Sequence, residues 1–296
     1  MLDTQPELWY NGLAYIAEGR MTVKKSVILI VISVVLTLSL LCACIFANAM
    51  FGNPVSKLVA RKVAENYVDE NYPSEGYEIE DVRYSFKDGY YHAFVSSEKH
   101  IDGDFTVFLN SFGVVQHDDY EYRVVEHGNV ANRLFFLYKA RVDEVLESED
   151  FPYECDIAFG DLEFDCEDGE DFPENAIARS ELINGGEYDI DELGKSNGRL
   201  VLYIDTDRAD SEKASEILLE VRQRMDKAGV TFCWIDLTLR VPDGEGTAQA
   251  DFGILDFKYE DIYEGGIDER VVAAKARTDA YYEKMDAEKA TELPIE

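Results

Sequence analysis

The apolar positions of this chain change period several times, and each change marks an element. Val27 to Met50 is an uncharged run of 24 residues, broken only by Ser33, Thr37, Ser39, Asn48 and small or Cys positions. A helix needs about 20 apolar residues to cross a bilayer core, whereas a secretory signal carries about 7–15. The pattern therefore predicts an uncleaved transmembrane helix over 24–51. Two processing patterns overlap it and stay open: Ala47-Asn48-Ala49 has the small-x-small form of a cleavage site, and Leu41-Cys42-Ala43-Cys44 resembles a lipoprotein box. Ile45 and Phe46 continue the run past Cys44, which disfavours lipidation there. Lys24 and Lys25 precede the run, while Lys57, Arg61 and Lys62 follow it among acids, so the domain is expected outside. Residues 1–20 show no period, and Met21-Thr-Val-Lys-Lys reads as the start of such a segment; translation is expected to begin at Met21.

Beyond the run, Val55, Leu58, Val59, Val63, Tyr67 and Val68 recur at helical spacing, predicting a helix over Pro54 to Asn71 that continues directly from the membrane and stops before Pro73. Four short strands follow: 77–86, 90–97, 104–110 and 114–120, the first pair joined by Lys87-Asp88-Gly89. One helix on a four-strand meander is an α+β layer, over 54–125, and its order resembles cystatin-like and PepSY-like modules. A helix capped by Asn129, with Val130, Leu134, Leu137, Tyr138, Val142 and Val145 as its stripe, is expected to connect the halves over 129–148.

The second α+β domain, 149–296, opens on Cys155-Asp-Ile-Ala-Phe-Gly-Asp-Leu-Glu-Phe-Asp-Cys166. Its alternation changes phase at Gly160-Asp161, and two readings fit. A tight turn there gives a hairpin that pairs Cys155 with Cys166 and permits a disulfide. A straight strand with a bulge separates those residues by about 36 Å, far beyond the ~7 Å that a disulfide spans. A β-α-β unit follows: a strand at 200–205, a helix at 211–228 capped by Asp210 or Ser211 and ended by Gly229, and a strand at 230–241 in which Cys233 is a core position. A polar loop over 241–253, a strand over 252–259 and a helix over 267–290 with Ile267, Val271, Ala274, Tyr281 and Met285 on one face complete it, with Pro294 beyond.

Asn48-Ala-Met-Phe-Gly-Asn-Pro-Val-Ser56, Tyr84-Ser-Phe-Lys-Asp-Gly-Tyr-Tyr91, Ile157-Ala-Phe-Gly-Asp-Leu-Glu-Phe164, Ile217 to Leu239 and Phe257-Lys-Tyr-Glu-Asp-Ile-Tyr263 together resemble the YfjL-like family of membrane-anchored proteins from Gram-positive bacteria. The resemblance starts near Lys24. It implies one N-terminal span followed by an N-terminal and a C-terminal domain, and brings no activity or catalytic residue.

Charge narrows the partners. The formal net charge is −33, and the first 53 residues, with three acids and three bases, contribute none of it. Nucleic acid is excluded as a partner, since phosphate contacts need Lys and Arg. Divalent cations or an envelope protein with a basic surface fit; self-repulsion for solubility explains the same charge without a partner. The densest acidic stretch, Asp161 to Glu174, reads as a surface loop.

The motifs are sparse. Asp205-Thr206-Asp207 ends an apolar strand before a helix, as in Mg²⁺-dependent aspartyl phosphotransferases, where the first carboxylate attacks and the second is the general acid. Ala209 stands where such enzymes usually have Thr or Val, and acids at strand ends are more often turn and cap residues. His117-Asp118-Asp119 supplies metal-binding side chains without recognised spacing. No calcium loop, phosphate loop, dinucleotide fingerprint or nucleophile elbow occurs, and no cofactor is expected. The expected function is a non-enzymatic, extracytoplasmic binding module on a single-pass anchor. The alternatives are a phosphatase using Asp205 and Asp207, and an envelope sensor or protease-inhibitor-like module.

Overall fold

The computed structural model describes residues 7–73, 75–165, 173, 175–242 and 248–292. Cys166, Pro294 and most of the acidic stretch before Glu174 lie outside the described residues. The fold is α+β, in two compact units: Met1–Ser96 with Thr106–Asp118, and Ser97–Phe105 with Asp119–Glu296.

Helix α1 (Glu7–Phe51) contains the apolar run and is long and apolar enough to cross a membrane; none of its most apolar window is buried within the protein. It also extends back over residues where the sequence pattern gives no element. Once the apolar segment is helical, each added residue gains a hydrogen bond without a new nucleation cost. The expected continuity into the next helix is interrupted at Gly52, whose φ of +71° favours glycine. The Asn53 side chain then accepts from Val55 N and caps α2 (Pro54–Asn71), with Pro54 in its first turn.

α2 has the expected limits but not the expected inward face. Ala60, Ala64 and Val68 are buried, whereas Val55 and Leu58 remain 67% and 69% exposed. Alanine at successive turns gives the helix a low inner ridge on which to meet the sheet; the larger aliphatics face elsewhere. The sheet is β1 (Tyr77–Tyr84), β2 (Tyr91–Ser97), β3 (Phe105–Leu109) and β4 (Val115–Asp118), antiparallel in sequence order. Ile79, Val82, Tyr91, Ala93, Val95, Val107 and Leu109 are its buried apolar side chains in this unit. The predicted β1–β2 turn forms, with Gly89 N donating to Ser85 O and Asp88 Oδ1 accepting from Tyr90 N. β4 stops at Asp118, short of its predicted end, and the chain turns through a five-residue π-helix, Glu121–Val125.

In the second unit, the N-cap position of α3 (Gly128–Leu146) is His127, in a left-handed conformation and without a side-chain cap bond, not Asn129. Asn129 lies inside the helix, and its Nδ2 donates to the Asp102 and Asp104 carbonyls at 3.0 and 2.6 Å. Beside it, Asp102 is buried and takes a two-pronged bond from Arg133, at 2.9 Å on each oxygen, plus the Gly185 N–H. α3 is built into this unit's core rather than standing as a connector: Val130, Leu134, Tyr138 and Val142 are fully buried. Leu137, expected in that stripe, is 47% exposed.

The second sheet has the order β5 (Glu154–Leu162), β6 (Gly198–Asp205), β7 (Trp234–Pro242), β8 (Ala248–Lys258). β6 and β7 are parallel and joined by α5 (Ser211–Ala228), which is the predicted β-α-β unit; the outer pairs are antiparallel. Asp210 caps α5 through Lys213 N, and Ala214, Ile217, Leu218, Val221 and Met225 are its buried stripe. β8 takes in residues 248–251, which the sequence reading assigns to a loop. α4 (Ile190–Asn197) has no counterpart in the sequence reading. α6 (Ile267–Glu292) buries Ile267, Val271, Ala274 and Thr278, but Tyr281 is 52% exposed, so its apolar face ends sooner than expected.

β5 decides between the two readings of Gly160-Asp161. The strand runs straight through them, paired with β6 from Glu154 to Leu162, and no turn forms there. The phase change needs no break in the strand: Gly160 and Leu162 face the core while Ile157 lies on the opposite face, 42% exposed, and the register irregularity lies upstream, between Cys155 and Ile157. Gly160 has a packing reason: a Cβ there would stand 2.4 Å from Val142 Cγ2 and 2.9 Å from Tyr138 Cε1. The hairpin that would return the chain toward Cys155 is absent, and Cys166 itself lies outside the described residues.

Candidate functional site

The two faces of the second sheet differ. Leu200, Leu202 and Ile204 of β6 pair across with Ile235, Leu237 and Leu239 of β7 and are fully buried. The alternate residues, Arg199, Tyr203 and Asp205 on β6 and Trp234, Asp236, Thr238 and Arg240 on β7, form the opposite face. That face carries the ionic chemistry of the domain.

Asp205 lies on it and is tied to its cross-strand partner. Arg240 Nε and Nη2 donate to Asp205 Oδ1 at 3.0 and 2.7 Å, and Arg240 Nη1 donates to Asp156 at 2.8 Å. The bonds it donates to Asp205 are the first cause holding the Arg240 guanidinium above its ordinary pKa. Asp207 is two residues on, in the link to α5, where its carboxylate accepts from Thr206 Oγ1 at 3.3 Å. An arginine on the would-be nucleophile is the arrangement of a structural ion pair.

The other sequence candidates separate. His117 stacks on Phe108 with ring centroids 4.4 Å apart. Asp118 Oδ2 accepts from Tyr67 and Tyr72 hydroxyls at 2.6 and 2.8 Å. Burial, reinforced by Asp118, pushes the Tyr67 phenol up to about 12 and raises Tyr72 further. Asp119 accepts from Arg123 Nε at 3.0 Å. Among the described residues no group of three or more His, Cys, Asp or Glu is gathered as a metal site. Cys155 is half-buried, and desolvation, with Asp205 adding to it, pushes its thiol up to about 11. Cys233 is held at about 12, chiefly by burial, with its Sγ donating to Gly198 O. Neither is a poised thiolate.

The centre of the face is a residue the sequence reading does not single out. Arg199, its side chain 15% exposed, donates from Nε and Nη2 to the two Glu163 oxygens at 2.5 and 3.1 Å. Its Nη1 donates to Asp236 and Asp256 at 2.9 and 2.7 Å, and its guanidinium lies 4.9 Å over the Trp234 ring. Asp256 sits at an irregularity of β8 with φ +53°, and its N–H donates to Asp236 Oδ1 at 2.8 Å. Burial alone would lower Arg199; Glu163 and Asp236 outweigh it and raise it. Burial pushes the Asp236 and Asp161 carboxyls above the ordinary range, against the pull of Arg199. One cation against Asp161, Glu163, Asp236 and Asp256 leaves a net charge of −3 when all are ionised. Tyr282, on the distal part of α6, borders this face: burial first, then Tyr203 and Asp236, raise its phenol.

A raised carboxyl pKa has a definite sign in stability. The folded state holds the proton more tightly, so the cost is absent below the unfolded value of about 3.9 and grows as pH rises through the folded value. Asp161→Asn is therefore expected to raise the melting temperature at pH 7 and to leave it unchanged near pH 3. An equal gain at both pH values would remove charge as the cause.

The two-unit architecture has its counterpart in the family comparison. A YfjL-like N-terminal domain matches residues 23–119 and a YfjL-like C-terminal domain matches residues 137–272. The chain belongs to the YfjL-like family. No curated protein and no solved structure matches it.

Proposed function

We propose that this chain is a single-pass membrane-anchored interaction module. It holds its acidic domains on the extracytoplasmic side and binds a partner protein with a basic surface, without catalysis. The observation that carries this reading is the cluster around Arg199: four carboxylates, with Asp161 and Asp236 desolvated among them, against that one guanidinium, beside Trp234, Tyr203 and Tyr282. A partner Lys or Arg would relieve Asp161 and Asp236, and aromatic rings beside ionic groups are common at binding surfaces.

Two measurements test it. Lys87→Cys and Glu264→Cys, in a chain otherwise lacking cysteine, are expected to react with a membrane-impermeant thiol reagent on intact cells. Labelling only after lysis would put the domains inside and end the extracytoplasmic reading. A photo-crosslinker at Tyr282 is expected to trap a protein that one at exposed Lys227 does not, with a yield that falls as salt rises. Equal, salt-insensitive trapping at both positions argues against the face. Aryl-phosphate turnover with Mg²⁺ that is lost in Asp205→Asn would replace this reading with the phosphatase.

A further inference from the structure

α2 is divided along its length. Its distal turns expose Lys62, Asn66, Asp69 and Glu70, as a solvated helix does. Its first two turns alone expose aliphatics: Val55, Leu58 and Val59. These sit beside the end of α1, where Phe51 is 79% exposed. The β3–β4 turn meets the same turns of α2, since a Cβ on Gly113 would stand 2.7 Å from Val59 Cγ1. That turn carries Phe112, 88% exposed, and Val114. The β1 end of the β1–β2 turn also reaches the joint, since a Cβ on Gly52 would stand 2.7 Å from Tyr84. This turn carries exposed Phe86 and Lys87. In an antiparallel meander both turns leave from one end of the sheet, and that is the end where α1 joins α2.

The geometry points to a second membrane contact: this end of the first sheet, with Phe86, Phe112, Val55 and Leu58 leading, rests in the headgroup–acyl boundary of the bilayer that α1 crosses. The inference rests on the anchor reading above. Continuity selects lipid as the occupant. Val27 to Phe51 at 1.5 Å per residue spans about 37 Å, longer than the ~30 Å core, so its end emerges among headgroups. α2 begins three residues after Phe51, and Leu58 lies within about 8 Å of Asn53 along the helix. Aromatic rings and lysines around an emerging helix match the chemistry of that layer, and Lys57, 3.2 Å from Asp81, and Lys87 supply cations at this end.

The test uses the full chain, its native cysteines replaced by alanine, in vesicles of phosphatidylcholine and phosphatidylglycerol. An environment-sensitive fluorophore is placed singly at positions 36, 86, 112 or 98, and quenching by doxyl-labelled lipid is read. Position 36 reports the span, and Glu98 in the β2–β3 turn is the control. Quenching at 86 and 112 is expected at least about threefold stronger than at 98, because interfacial apolar groups lie ~5–10 Å deep. Quenching at 36 with 86 and 112 no different from 98 overturns the inference and leaves the anchor standing. No quenching at 36 overturns both. Labels at 86 and 112 shielded from lipid and from aqueous iodide, in proportion to protein density, show a second copy on this surface and also overturn it.

Discussion

Tyr138→Ala is expected to cost about 3–5 kcal/mol in the second domain, a large fraction of the ~5–15 kcal/mol that holds an ordinary domain folded. Tyr138 is fully buried, and its hydroxyl donates to the Thr231 carbonyl at 2.7 Å. Three glycines shape its cavity: an added Cβ at Gly160, Gly194 or Gly198 would stand 2.9, 3.0 or 2.7 Å from the tyrosine. They come from β5, α4 and the start of β6, so one ring joins α3 to three other elements. Alanine would leave a void that these backbones cannot close without moving. Tyr138→Phe isolates the hydroxyl and is expected to cost about 1–3 kcal/mol, the desolvation of an unpaired carbonyl. Urea unfolding followed by tryptophan fluorescence measures both, because Trp234 lies in this domain and the only other tryptophan, Trp9, precedes the apolar run. A loss below about 1 kcal/mol for Tyr138→Ala would show that the core collapses around the gap.

The second large effect is expected at Asp102. Asp102→Ala removes the partner of Arg133, whose side chain is only 26% exposed, and should cost about 3 kcal/mol. Burial opposes ionisation of Asp102, but the bonds from Arg133 and the Gly185 N–H outweigh it and hold the carboxyl below its ordinary range. The stabilisation is thus complete above the unfolded value of about 3.9 and is lost as pH falls through the lower folded value. The substitution should remove that acid limb from the stability profile. Adding Arg133→Met should recover part of the loss, since an apolar pair avoids the stranded charge. If the double variant is no better than the single one, the cost does not come from the orphaned arginine.

Elements with local signals were legible in the sequence. α5 has a cap, a buried stripe and a terminating glycine within 20 residues, and its limits match. α2 also matches in extent, but periodicity cannot say which stripe faces inward, and the small alanines prevail over the larger valines. α4 is missed because eight residues with Gly194 among them give neither length nor propensity. Gly160-Asp161 misleads for a different reason. A glycine needed for close approach by a helix looks, in sequence, like a glycine needed for a turn. The Arg199 face was illegible because its partners lie 36, 37 and 57 residues away, and only the sheet register gathers them. The Asp205-Thr206-Asp207 motif was visible; its cross-strand arginine, 35 residues on, was not.

The joint after α1 has a mechanical consequence. Gly52 is boxed in by Tyr84 and Tyr91, and the Tyr91 hydroxyl bonds both the N–H and the carbonyl of Asn53, at 2.6 and 3.2 Å. The break between α1 and α2 is therefore clamped by β1 and β2, not left to swivel. A change in tilt or rotation of α1, as a thinner bilayer or a neighbouring span would impose, is delivered as torque to the first sheet instead of being lost in a flexible tether.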